Sequence, residues 1–189
     1  MFGLSAVKVP CDGDPVLAGE TMQAARDTNI ACEIIPDTFL DHGVMVPLHY
    51  VMSAGFDGKI LPMAVSLASL KELFEFGRFF NRIAEASDKK IAVIASADMS
   101  HRLTKSAPSG YSPKGAIFDE RLVELIKHND IDAILDFDPE LAEEAGQDAL
   151  WSIAMLLGIL DGRNFKPELL SYEGPFGVGY MVAAYERGK

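Results

Sequence analysis

Apolar residues follow two periods along the chain. Short apolar runs bounded by turn residues alternate with longer stretches whose apolar positions recur every three or four residues. The runs at Ser5–Val9 and Ala31–Ile35 predict strands, and Lys59–Val65 (KILPMAV) predicts a buried one. Lys90–Ser96 (KIAVIAS) is continuously apolar, the pattern of a parallel strand covered on both faces. Helical spacing covers Asp14–Asp27, with Val16, Leu17, Met22 and Ala25 as its apolar positions. It is clearest over Ser69–Ser87, where Leu70, Leu73, Phe74, Phe76, Phe80, Ile83 and Ala84 mark one face and Ser69 or Ser66 offers an N-cap. Further helices are predicted over Gly43–Ser53, with Pro47 near the first turn, and over Gly115–His128, Pro139–Ala145 and Asp148–Leu160, the last stopping at Asp161-Gly162. Lys166–Tyr172 and Gly177–Tyr185 read as two closing strands.

Alternating strands and helices predict an α/β fold: a mixed, mostly parallel sheet flanked by helices, mixed at the edge where the last two strands follow each other closely. Without repeats, low-complexity tracts or long linkers, residues 1–189 read as one domain. In such sheets chemistry sits where strands end and loops begin.

Composition narrows the classes of function. Apolar residues make up 49% and charged residues 24%, an ordinary globular balance. A net charge of −11 without a Lys/Arg cluster argues against nucleic acid, whose binders neutralise phosphates with a basic surface. Cys11 and Cys32 make neither a CxxC pair nor a disulfide framework, and no signal peptide is read, so a reduced, cytoplasmic compartment is expected. The longest apolar stretch, Trp151–Leu160, falls short of the roughly 20 residues that span a bilayer.

Three segments carry candidate chemistry. In Leu40-Asp41-His42-Gly43, Asp41 suits a helix N-cap and can also hold an imidazole in one tautomer; the plain alternative is a cap beside a surface histidine. In Ala95–His101 (ASADMSH) an apolar strand runs into small and polar residues and delivers His101 to the sheet's edge, with Asp98 and Ser100 as orienting partners. A histidine there can give or take a proton near neutral pH, against the alternative of a loop histidine satisfied by backbone. In Leu170–Tyr180 (LSYEGPFGVGY), which includes Glu173, three glycines and a proline mark a tight turn, and its aromatic residues can wall a pocket for a flat ligand. A plain structural hairpin is the alternative.

His42 and His49 are seven residues apart. On one helix that is about 10.5 Å of rise, too far for one ion unless the helix breaks. No HExxH, CxxC or GxSxG pattern is present. His128 closes a helix, where it complements the dipole.

Taken in order, these segments resemble the class III extradiol ring-cleavage dioxygenases, represented by the catalytic B subunit of protocatechuate 4,5-dioxygenase. The resemblance is closest to a bacterial and archaeal branch that includes Memo-like relatives. It rests on LDHGVMVPL (Leu40–Leu48), SADMSHRL (Ser96–Leu103), Ala107–Asp119, AEEAG (Ala142–Gly146) and the ending Leu169–Ala183. It implies the B-subunit-like fold, with His101 as the general base toward a catechol and His42 lining the pocket. Asp98, Ser100, Asp41 and Glu173 stand as substrate-contacting positions. The implied cofactor is Fe(II), held by two early histidines and a glutamate.

The chain departs from that pattern. No HPP-like or SPH-like motif precedes Asp41, so the family's N-terminal βαβ portion is expected to be absent, leaving a truncated version of the fold. The glutamate position carries Gln147, a neutral and weaker donor. The expectation is a dioxygenase-like protein for a small aromatic substrate that holds iron only with outside help, or holds none. The alternative is a non-catalytic Memo-like binding protein on the same fold. An unpaired sheet edge would favour a homo-oligomer or pairing with a second chain.

Overall fold

In the computed structural model, residues 9–35 and 40–188 are described. The predicted strand at Ser5–Val9 lies outside them except for Val9. Among the described residues are α1 (Pro15–Asp27), α2 (His42–Ser53), α3 (Leu70–Ala86), α4 (Pro113–His128), α5 (Ile131–Leu135), α6 (Pro139–Ala145), α7 (Ala149–Leu160), β1 (Phe165–Glu173) and β2 (Tyr180–Arg187). The chain divides into two compact units, Met1–Ala64 with Ile83–Ser96, and Val65–Arg82 with Ala97–Lys189.

In the first unit α1 starts where Asp14 accepts the Leu17 amide at 3.0 Å and Pro15 opens the helix. Leu17, Thr21 and Ala25, four residues apart, form its buried stripe. Lys89 Nζ reaches the second Asp14 oxygen at 2.6 Å, and these bonds hold the Asp14 carboxyl below its ordinary range. α2 runs unbroken from His42 to Ser53 with Pro47 inside it, not near its first turn. His42 and His49 therefore stay on one continuous helix, two turns apart.

The mostly parallel sheet expected from the apolar runs is represented among the described residues by one isolated parallel bridge, Gly13 with Ile60. Asp14 N donates to Ile60 O at 2.8 Å and Ile60 N to Asp12 O at 2.9 Å. Among the described residues, 31–35 and 90–96 carry no strand pairing. Nor is Lys59–Val65 buried: half-buried and exposed positions mix along it, as they alternate along 91–96, and Ile94 is exposed. An apolar run sets a propensity, but a strand forms only where a neighbour about 4.8 Å away completes the ladder.

The second unit holds a contiguous core. Phe118, Leu122 and Ile126 of α4 face Ile134 of α5, Leu141 of α6, Leu150 and Leu157 of α7, and Met99. α3 opens with a capping box: Ser69 Oγ accepts from Glu72 N at 3.3 Å while Glu72 Oε2 accepts from Ser69 N at 2.9 Å. α3 meets α7 through Gly77 and Gly158. A Cβ on Gly77 would lie 2.8 Å from Ile159 N, and one on Gly158 would lie 2.8 Å from the Phe74 carbonyl carbon. Backbone cannot yield as a flexible side chain does, so Gly158→Ala forces the helices apart. The expected loss is about 1–3 kcal/mol in a urea melt.

α4 begins at Ser112, whose Oγ accepts from Lys114 N at 3.2 Å, and ends at Asn129 in the left-handed region. The two closing strands form one antiparallel hairpin, with an irregularity between Leu169 and Ser171. The second strand starts at Tyr180 rather than Gly177, because Pro175–Gly177 makes a 3-10 turn.

Candidate acid–base site

The segment 97–103 is fixed from several sides within the second unit. Asp98 N donates to Asp148 Oδ1 at 2.6 Å and Asp148 N donates back to Asp98 O at 3.2 Å. Met99 N donates to Gly179 O at 3.0 Å, Gly179 N to Ser100 O at 2.8 Å and Leu103 N to Gly177 O at 3.0 Å. The hairpin turn thus serves as a backbone partner for the histidine-bearing segment.

Ser100 is fully buried. Its hydroxyl donates to Ala145 O at 2.8 Å and accepts from Arg102 N at 3.0 Å. Gly115 leaves it room, since a Cβ there would meet Ser100 Oγ at 2.5 Å. Ser100 holds the frame, with both of its hydroxyl bonds made to backbone.

His101 stands at the surface of this frame. Its Nδ1 lies 2.8 Å from Gly146 O and its Nε2 lies 3.2 Å from Asp98 Oδ2. The two side chains retain 23% and 30% of their accessible surface, so a ligand can reach both. Gly146 ends α6 with φ +61, where a left-handed backbone turns its carbonyl to the ring.

Beneath the segment lies Asp119, fully buried on α4. Oδ1 accepts from Ser100 N at 2.9 Å and Oδ2 from Tyr172 OH at 2.6 Å. Burial raises the Asp119 carboxyl above its ordinary range, while the Tyr172 and Ser100 bonds and the His101 charge pull the other way. Burial and the neighbouring carboxylate push the Tyr172 phenol up. Sequence reasoning gave Asp119 no role, although one signal was present. It shares α4's buried face with Leu122, Val123 and Ile126, and an acid at an apolar position needs a reason.

The other expected positions have partners or settings of their own. Asp41 caps α2 in the first unit, Oδ1 accepting from Val44 N at 3.3 Å, and His42 is the exposed first residue of that helix. Glu173 is exposed at the end of β1, paired with Tyr180. Gln147 directs Oε1 to Leu150 N at 2.9 Å, capping α7. His128 is exposed, with Nδ1 2.8 Å from Glu124 O.

The amino-acid sequence matches a known family. A family model described as the catalytic LigB subunit of aromatic ring-opening dioxygenase matches residues 2–183. The chain belongs to that family, the class III extradiol family. It is 38% identical over 169 residues to Protein CA_C1420 of Clostridium acetobutylicum. That match covers 89% of this chain and 36% of the relative, so the chain spans about a third of the relative's length.

Enzymes of this family typically depend on non-haem iron. Such a centre takes two histidines and a carboxylate on one face. Among the described residues no three His, Cys, Asp or Glu side chains gather in that way. Gln147 is turned to a helix amide. The described residues therefore do not fit the ion. No helix among them is long and apolar enough to cross a membrane.

Proposed function

We propose that His101 and Asp98 form the proton-handling centre of a LigB-type aromatic ring-cleavage site, where a small catecholic ligand gives its proton to His101 Nε2. The observation that carries this reading is the orientation of the ring. A carbonyl only accepts, so a hydrogen on Nδ1 bonds Gly146 O, and in that tautomer Nε2, beside Asp98 Oδ2, is the nitrogen that takes a proton. The neutral ring takes the phenolic proton on Nε2 and the ligand becomes a phenolate. The resulting imidazolium donates to Asp98, 3.2 Å away. Ring opening itself needs iron ligands beyond the described residues.

Titrating the chain with 4-nitrocatechol, whose absorbance reports its ionisation, tests this. Binding is expected with phenolate formation. His101→Ala is expected to bind about tenfold more weakly, the loss of one hydrogen bond to a charged group, and without the phenolate band. Equal binding and ionisation by the variant would refute the proposal.

A second reading, a Memo-like binding protein without oxidative chemistry, is favoured by Gln147, whose oxygen caps α7. On this reading Gln147→Glu retains no iron after anaerobic loading with Fe(II) and gel filtration. Tight retention would return the chain to the enzymes.

A further inference from the structure

We propose that Arg102 is an anion subsite beside His101, selecting ligands that carry an oxyanion on the aromatic ring. The inference deepens the reading of His101 as the proton-handling group and rests on it.

Position comes first. Three successive residues grip the end of α6. Ser100 Oγ donates to Ala145 O at 2.8 Å, and His101 Nδ1 lies 2.8 Å from Gly146 O. The Arg102 side chain runs along the same glycine: a Cβ on Gly146 would stand 3.0 Å from Arg102 Nε and 3.6 Å from its Cγ and Cδ. Imidazole and guanidinium therefore flank one residue, and a single small ligand can touch both. Backbone bonds fix the placement. Arg102 N donates to Ser100 Oγ at 3.0 Å, and Arg102 O accepts from Ser112 N at 3.0 Å.

Charge comes second. Among the described residues Arg102 forms no ion pair, whereas Lys71, Arg78, Lys89 and Lys127 each have a carboxylate partner. The chain has 28 Asp and Glu against 17 Lys and Arg, so a shortage of acids is not the reason. Arg102 is half-buried, and its Nε is buried without an acceptor. The terminal nitrogens donate to nothing among the described residues and are left for a ligand. A guanidinium is a planar fork of donors that matches the oxygens of an acid group. Partly withdrawn from water, it attracts an anion more strongly than a fully solvated cation does.

The neighbours set the sign. Asp98 stands 3.2 Å from His101 Nε2, Asp148 is bonded to the Asp98 amide, and the net charge is −11. All of these repel an acidic ligand. Without Arg102 the site would prefer a neutral one.

Calorimetry on the full chain with three probes tests this: catechol, 3,4-dihydroxybenzenesulfonate and benzenesulfonate. The dihydroxy sulfonate is expected to bind about tenfold more tightly than catechol, the worth of one hydrogen bond to a charged group. Arg102→Met keeps a stem against Gly146 and removes the charge, and the order of the two ligands is expected to reverse. Arg102→Lys keeps the charge without the fork and is expected to retain part of the preference. A parent chain that binds the dihydroxy sulfonate no better than catechol overturns the proposal, with no variant needed. A preference that survives Arg102→Met overturns it as well. Benzenesulfonate has no phenol, which separates the two readings. If both sulfonates bind through Arg102 while catechol does not bind, the proton-handling centre falls and the anion subsite stands. If catechol binds and neither sulfonate does, the subsite falls alone.

Discussion

Phe118→Ala is expected to destabilise the protein by about 3–5 kcal/mol, seen as a lower urea midpoint with the slope unchanged. Phe118 is fully buried on α4, and its ring lies 5.0 Å from that of Phe137 at 56°. Truncation removes that aromatic contact and most of the apolar transfer energy. It also leaves a cavity that α4 cannot close, because neighbouring positions anchor it. Leu122 and Ile126 are equally engaged in the core, and Asp119 is tied to Ser100 and Tyr172. An effect within 1 kcal/mol would mean that α4 is free to shift, and with it the support of His101.

Gly179→Ala is expected to cost a similar amount, about 3–5 kcal/mol, and also to disable the site. The added methyl would lie 2.9 Å from Asp119 Cγ and 3.1 Å from Met99 Cβ, closer still to Asp119 Oδ2. The carboxylate must move, breaking its bonds to Ser100 N and Tyr172 OH, each worth about 1.5–3 kcal/mol as bonds to a charged group. The strain also reaches the two backbone bonds joining Gly179 to Met99 and Ser100. Chemical denaturation gives the stability change and 4-nitrocatechol titration the loss of binding. A variant as stable as the parent that binds normally would show that Asp119 has room to retreat.

Local pattern carried much of the helical architecture. The predicted limits of α6 are the observed ones, and α1, α2 and α7 differ from prediction by one residue at the start. Caps and helix periods are set within a few neighbouring residues, so a sequence displays them. The five-residue α5 was not legible, because so short a helix has no period to read and is held by the core around Ile134. The parallel strands were not decided locally either. Pairing needs a partner distant in sequence, and the apolar content of Lys90–Ser96 says nothing of whether one is adjacent.

The sequence by itself placed His101 at the end of an apolar run, set Asp98 and Ser100 beside it, and carried enough ordered motifs to mark the family. Only the tertiary structure decided which partners those residues take. It turned Ser100 inward onto backbone, gave His101 Nδ1 to the Gly146 carbonyl and Nε2 to Asp98, and brought Asp119 and Tyr172 beneath them. It also turned Gln147 to α7. The physical reason is one of range. Caps and periods act over three or four residues, whereas the tautomer of a histidine and the charge of a buried acid depend on groups that only folding brings within hydrogen-bond distance.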